Sequence, residues 1–222
     1  MCGRFTSLLS PELLSALYEV PLTAGTAHRY NIAPTQNVRV VRQDVTDGRY
    51  FSAIRWGLIP HWAKDKTIGN RLINARSETI HDKPAFRQAI RSRRCVIPAS
   101  GFYEWRTTQS GKVPYYITMS DGTPFSFAGI WESWKAPEGE TLETFAILTT
   151  TANNLMAPIH DRMPVILHRD DLPLWLDRAA YDPLEFNRLY QPYPAELMQS
   201  WQVSTRVNNP AHDTDECIKR LE

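Results

Sequence analysis

The residue that most constrains the chemistry of this chain is a cysteine at position 2, in the opening Met1-Cys2-Gly3-Arg4-Phe5. Removal of Met1, which a small following residue favours, leaves Cys2 with an α-amine and a thiol two carbons apart. An α-amine has a pKa of roughly 8 and is partly neutral at physiological pH. A neutral amine adds to an aldehyde and loses water to give an imine. The neighbouring thiol can then close on the imine carbon, giving a five-membered thiazolidine. Both nucleophiles belong to one residue, so ring closure gains the intramolecular advantage of proximity. A mid-chain cysteine lacks the amine, and a terminal serine lacks the thiol. Gly3 lets the backbone bend close to a ligand. An inert small residue behind Met1, or an acylation site, is the alternative reading of the position.

Imine formation needs groups that carry protons to and from the departing oxygen. Glu104 stands in Gly101-Phe102-Tyr103-Glu104-Trp105. An acid among three aromatics is either desolvated, with a raised pKa suited to proton transfer, or an outward-facing strand residue. His160 lies in Pro158-Ile159-His160-Asp161-Arg162, a turn leading into a strand. Imidazole titrates near neutral pH and can act as acid or base, although a single loop histidine is more often without a chemical role. His28, His61, His81, His168 and His212 have weaker claims. Asn74, in Ile73-Asn74-Ala75-Arg76, can donate and accept hydrogen bonds at once, or simply cap the following turn.

The 222 residues, 42% of them apolar, fit one large domain spanning 1–222 with a substantial core. A net charge of +1 excludes a global attraction to nucleic acid, so any such signal must be local. Arg71, Arg76, Lys83, Arg87, Arg91, Arg93 and Arg94 crowd one region against Glu78 and Asp82. That region is either a phosphodiester-binding side or a solvated helix face. Cys2, Cys95 and Cys217 are odd in number and form no CxxC or Cys/His cluster. No disulfide framework, metal site or cofactor is expected, and the compartment expected is a reducing cytoplasm. Leu8 and Leu9 give way at once to Ser10, Pro11 and Glu12, so neither a signal peptide nor a membrane partner is expected. A monomer is expected.

Sixteen prolines cut the chain into short elements. Ser10 before Pro11 predicts a helix N-terminus. Val38–Val41 and Phe51–Trp56 read as strands joined through the turn-rich Asp44–Gly48. Ser77–Arg91 reads as helix-containing, entered at Pro84. Cys95–Pro98 and Gly101–Trp105 read as strand, turn and strand. Tyr115–Met119 and Phe125–Ile130 flank Ser120-Asp121-Gly122-Thr123, a hairpin signal. Phe145–Thr149 and Met163–Leu167 read as strands, Ala152–Met156 as a helical turn, and Leu172–Leu176 and Pro183–Leu189 as short helices. The fold class predicted is α+β: a curved, partly closed, mainly antiparallel β-sheet with several short helices.

Met1-Cys2-Gly3-Arg4-Phe5 recurs with WGLIP (56–60), INAR (73–76), GFYEW (101–105), IHDRMP (159–164) and VNN (207–209). In that order, over almost the whole chain, these motifs resemble the SRAP family of abasic-site-processing proteins. The resemblance implies a covalent sensor of abasic sites in single-stranded DNA, whose terminal cysteine traps the ring-opened deoxyribose as a thiazolidine. It implies catalytic roles for Cys2, Glu104 and His160, and a holding role for Asn74 beside the aminothiol and sugar. It implies DNA contacts at Arg4, Pro34, Trp62, Arg76 and Arg162. A guanidinium grips phosphate oxygens bidentately, and an indole stacks on bases at roughly 1–3 kcal/mol each. Each also has a plainer reading: surface ion pairing for the arginines, Arg162 with Asp161 for example, and a rigid turn for Pro34. Ala63–Asn70 receives no assignment. A weak β-elimination activity, cutting the strand, is expected beside capture, and the family's peptidase label corresponds to removal of Met1. The competing readings are an N-terminal-nucleophile glutamine amidotransferase, whose start is normally MCGI rather than MCGRF, and a non-covalent single-strand-binding module indifferent to Cys2.

Overall fold

The computed structural model describes residues 2–21, 27–46 and 48–221. Met1, and Asp47 of the expected turn, lie outside the described residues. In chain order, β1 (Phe5–Ser7) precedes α1 (Pro11–Tyr18), then β2 (Arg29–Ile32), β3 (Asn37–Asp44) and β4 (Gly48–Trp56). Next come β5 (Asn74–Arg76), α2 (Ala89–Ser92), β6 (Arg94–Ala99), β7 (Gly101–Thr108) and β8 (Gly111–Met119). The long strands β9 (Phe125–Lys135) and β10 (Thr141–Thr151) lead to β11 (Arg162–Pro164). Two short helices, α3 (Leu172–Leu176) and α4 (Pro183–Asn187), precede β12 (Met198–Gln202).

The strands form two sheets, one ordered β12-β8-β7-β1-β2 and the other β11-β10-β4-β3-β6-β9. In the second, β9 also pairs with β10, so β10, β4, β3, β6 and β9 close on themselves as a small barrel. Among the described residues, only the β10–β4 and β10–β5 pairings are parallel. The α+β class with a partly closed, mainly antiparallel sheet therefore holds.

Local signals explain several elements. The Ser10 hydroxyl accepts from the Leu13 amide at 3.2 Å and caps α1, with Pro11 in its first turn. Strands β3 and β4 pair along their whole length, from Asn37–Arg55 to Asp44–Gly48. Helix α3 has the bounds its apolar pattern predicts.

Other expectations fail for tertiary reasons. The Ser120–Thr123 signal does form a turn, with Asp121 Oδ1 accepting from the Thr123 amide at 2.9 Å. Yet β8 and β9 do not pair: β8 joins β7 and β12 in one sheet, and β9 joins β6 and β10 in the other. A turn reverses the chain, but burial of the two strand faces decides the partners. The segment 77–91 does contain helix, a 3-10 turn at Ser77–Thr79 and most of α2, but no helix is entered at Pro84. Pro84 biases Lys83 off the helical region and supplies no amide, which leaves turns in between. Arg94 drops out of the basic cluster. It is buried, donates to the carbonyls of Ile90, Arg91, Trp175, Asp177 and Ala180, and burial lowers its pKa to about 10. Arg93 pairs with Glu132 at 2.7 Å.

The WGLIP and INAR motifs have one topological explanation. Trp56 at the end of β4 and Asn74 at the start of β5 pair in parallel with the same edge of β10, opposite Phe145 and Ile147. The chain between them leaves the sheet and returns, carrying Trp62 outward. Gly57 makes the exit possible. Its φ is +122°, and a Cβ there would lie 2.6 Å from the Gly69 carbonyl oxygen. Gly111 has the same φ with nothing within 4 Å of its virtual Cβ. Gly111→Ala should therefore lose only the strain term, about 1–3 kcal/mol. Gly57→Ala should lose a further ~1–3 kcal/mol for overpacking against main chain. Urea midpoints of the two variants check this, and equal losses would contradict it.

Candidate active site and nucleic-acid interface

Pairing of β1 with β7 carries the start of the chain into the interior. Phe5 lies opposite Phe102 and Thr6 opposite Gly101. The Tyr103 amide donates to the Arg4 carbonyl at 3.0 Å, extending the ladder one step. The next positions in that register are Gly3 and Glu104. Cys2 is fully buried, among apolar residues that include Phe5, Trp56 and Phe145. Burial pushes its thiol pKa up, and the nearby Glu104 carboxylate pushes it further. Asn74 Nδ2 donates to the Cys2 carbonyl at 2.9 Å. Asn74 Oδ1 is buried with no hydrogen-bond partner among the described residues.

Glu104 is 2% exposed, so the open choice between a desolvated and an outward-facing acid falls to the desolvated one. Burial raises its pKa, and the positive charge of a protonated His160 opposes the rise. Glu104 and His160 share a cavity of about 400 Å³ with Trp105, Thr107, Lys112 and Asn208. Cys2, Asn74, Glu104 and His160, which come from four separate parts of the chain, are thus brought together.

The His160 ring has a partner for each of its charge states. The Arg162 amide lies 3.0 Å from Nδ1, and donating there requires an unprotonated Nδ1, with the proton of the neutral ring on Nε2. An Asp161 carboxylate oxygen lies 2.9 Å from the same Nδ1 and accepts from it when the ring is charged. Asp161 is therefore placed against His160. The partner of Arg162 is instead Glu78, held bidentately at 2.5 and 2.9 Å. Arg162 also donates to the Thr149 carbonyl at 2.7 Å. Nothing in local sequence announced Glu78, which lies 84 residues away.

The three arginines differ sharply in setting. Arg76 is exposed, two residues after Asn74 on β5 and so on the same face of the strand. Arg162 is 7% exposed and holds the turn that carries His160. Arg4 donates to Asn31 Oδ1 at 2.7 Å, to the Val207 carbonyl at 2.6 Å and to the Asn208 carbonyl at 3.2 Å. Trp62 is 51% exposed and rims a cavity of about 520 Å³ with Lys64, Asp65, Thr67, Asn70 and Arg71. The segment 63–70, which sequence left unassigned, thus walls the space beside the exposed indole. Pro34 sits half-buried in the turn before β3, where the Thr35 amide donates to the Trp56 carbonyl at 2.9 Å. Asn31, in the stretch Tyr30–Pro34 that ends at Pro34, is a buried polar residue to which the sequence attached no expectation.

A two-sheet α+β frame thus buries a second-position cysteine beside a desolvated acid. The chain belongs to the SOS response associated peptidase (SRAP) family, whose profile matches residues 1–210. It is 44% identical over 223 residues, 99% of each chain, to the abasic site processing protein YoqW of Bacillus subtilis. It is 32% identical to the abasic site processing protein HMCES of Xenopus tropicalis, covering 86% of this chain and 66% of that one. A crystal structure of a protein from Bacteroides thetaiotaomicron superposes with a TM-score of 0.89 at 27% identity, covering 100% of both chains.

The raised Glu104 pKa fixes the sign of a stability effect. Below the ordinary glutamate value of 4.5 both folded and unfolded states hold the proton. As pH rises, the unfolded chain ionises first, and the folded state loses stability until its own raised value is passed. Glu104→Gln removes this loss. Its melting temperature should rise relative to the parent as pH climbs from the ordinary glutamate range, then level off. Melting curves across pH test it, and an advantage that shrinks with pH would refute the assignment.

Proposed function

We propose that this chain processes abasic sites in single-stranded DNA by capturing the ring-opened sugar aldehyde on Cys2, after loss of Met1, as a thiazolidine. The observation that carries the reading is the burial of Cys2 between Asn74 and Glu104, in a chain whose full-length relatives are named abasic site processing proteins.

The steps balance on these residues. His160, with its proton on Nε2, gives that proton to the sugar ring oxygen as the hemiacetal opens and regains one from the C1′ hydroxyl, which becomes the aldehyde oxygen. The Cys2 nitrogen adds to C1′, and one of its protons passes to the aldehyde oxygen to give the carbinolamine. The Glu104 carboxyl gives its proton to the carbinolamine hydroxyl, which leaves as water, and an iminium and a carboxylate remain. The Cys2 sulfur then adds to C1′, the thiol proton passes to Glu104, and the iminium electron pair returns to nitrogen. One water is lost overall and Glu104 is restored. Asn74 holds the Cys2 carbonyl, and its Oδ1 accepts from the attacking amine. The iminium also acidifies the C2′ protons, so slow β-elimination by Glu104 or His160 accompanies capture. In the same reading Arg76 takes a phosphate beside the lesion and Trp62 stacks on a flanking base.

Intact mass spectrometry with an abasic oligonucleotide tests the chemistry. The parent should lack Met1 and form an adduct lighter by one water than the sum of its parts. Cys2→Ala should form no such adduct, and a durable adduct on that variant would sink the mechanism. Arg76→Ala should weaken binding and reduce the slope of log affinity against log salt by about 0.7, one phosphate on a single strand. An unchanged slope would remove Arg76 from the DNA path.

A further inference from the structure

The Tyr30–Pro34 and Val207–Asn209 motifs have no part in the chemistry just described, yet they meet in one place. Asn31 is fully buried. Its Nδ2 lies within reach of the carbonyls of Val207 at 3.1 Å, Asn209 at 3.1 Å and His212 at 2.7 Å. Its Oδ1 accepts from Arg4 at 2.7 Å. Its own amide, with that of Tyr30, donates to Asp213 Oδ1, so its main chain is fixed as well. Arg4 spans the same ground, reaching the Val207 and Asn208 carbonyls. Asn208 in turn accepts from the Trp105 indole at 2.8 Å, on the residue next to Glu104.

We propose that Asn31 and the Val207 and Asn208 carbonyls form a cradle for the Arg4 guanidinium, and that this cradle is a positioning device for Cys2. The inference rests on the proposed capture of an aldehyde at Cys2. Among the described residues, the main chain of residues 2–4 is tied by the Tyr103–Arg4 ladder bond and by Asn74 at the Cys2 carbonyl. The Arg4 carbonyl is held by Tyr103 and its side chain by the cradle, so Cys2 is fixed from one direction by sheet pairing and from another by the guanidinium fork. Arg4 and Asn31 are thereby positioning residues. The fork geometry, not the charge of Arg4, is what the cradle needs: carbonyls from two segments converge on one planar group, which an ammonium does not match.

The experiment is single-turnover crosslinking to an abasic oligonucleotide over a range of DNA and salt concentrations, for the parent, Asn31→Ala, Arg4→Lys and Arg4→Ala. Non-covalent affinity is read in parallel with a stable abasic analogue that has no aldehyde. All three variants should lose about tenfold or more in the limiting crosslinking rate, the scale of a misplaced reacting atom. Affinity for the analogue should stay within about threefold, and the salt slope of Arg4→Ala should match that of the parent. The proposal is overturned if Arg4→Lys crosslinks at the parental rate, or if Arg4→Ala loses affinity and about 0.7 of salt slope, as a phosphate ligand would. If Asn31→Ala melts below the assay temperature, Arg4→Lys carries the test, because Asn31 then keeps its three carbonyls. Absence of any adduct with the parent would refute the proposed capture itself, a result distinct from unaltered rates in the variants.

Discussion

Exclusion of water from the second residue is the condition on which the rest of the site depends. β1 has only three residues, but it lies between β7 and β2 and inserts Phe5 against Trp56 and Phe127, with ring centroids 5.2 and 6.1 Å apart. Burying a phenylalanine contributes about 1.5–3 kcal/mol, enough to keep so short a strand in register. Cys2, three residues earlier, is carried into the same apolar cluster. One physical cause then acts on two groups. Desolvation disfavours the thiolate of Cys2 and the carboxylate of Glu104 together, and an ionised Glu104 further disfavours the thiolate.

The opposite wall of the site is organised by β10. One edge of this strand takes β4 and then β5, which sets Asn74 opposite Ile147, and the other takes β9 and β11. Arg162 reaches from β11 to the Thr149 carbonyl on β10 and to Glu78 just beyond β5. The turn bearing His160 is thus tied to the strand that indirectly places Asn74. A buried guanidinium is stabilised only by partners of good geometry, and here a bidentate carboxylate and a main-chain carbonyl supply them. The site is assembled from two rigid ladders, with its loops fastened to both.

Much of this was legible in the sequence, for reasons that differ by residue. Ser10-Pro11 and the turn before β4 are local signals, and local chemistry decided them. The β8–β9 hairpin failed because a turn says nothing about which sheet each arm enters. Arg94 looked like surface charge and is a buried hub, since a run of basic residues does not show which one points inward. Glu104 was undecidable from its own stretch. β7 is flanked by β8 and β1, and Gly101 through Glu104 are all buried, so alternation gives no face to read. The role expected of it rested on the resemblance carried by the motifs taken together. Glu78 and Asn31 were not legible at all, because their partners lie 84 and 27 residues away and only tertiary structure joins them.

The raised thiol pKa also bears on the order of events in the proposed capture. A thiolate in the open would be the better nucleophile at C1′, but a thiohemiacetal reverts easily and leaves the amine idle. Held as a thiol by burial, the sulfur waits in this reading while the amine attacks. The first condensation removes a proton from Glu104 and leaves a carboxylate beside an iminium. That carboxylate is a far stronger base than the carboxyl that preceded it, and it now faces the thiol. The acid that drives water out therefore becomes the base that drives sulfur in, without any group entering or leaving the site. In the proposed capture, the desolvation that keeps the Cys2 sulfur protonated at rest defers its attack until the carboxylate has formed.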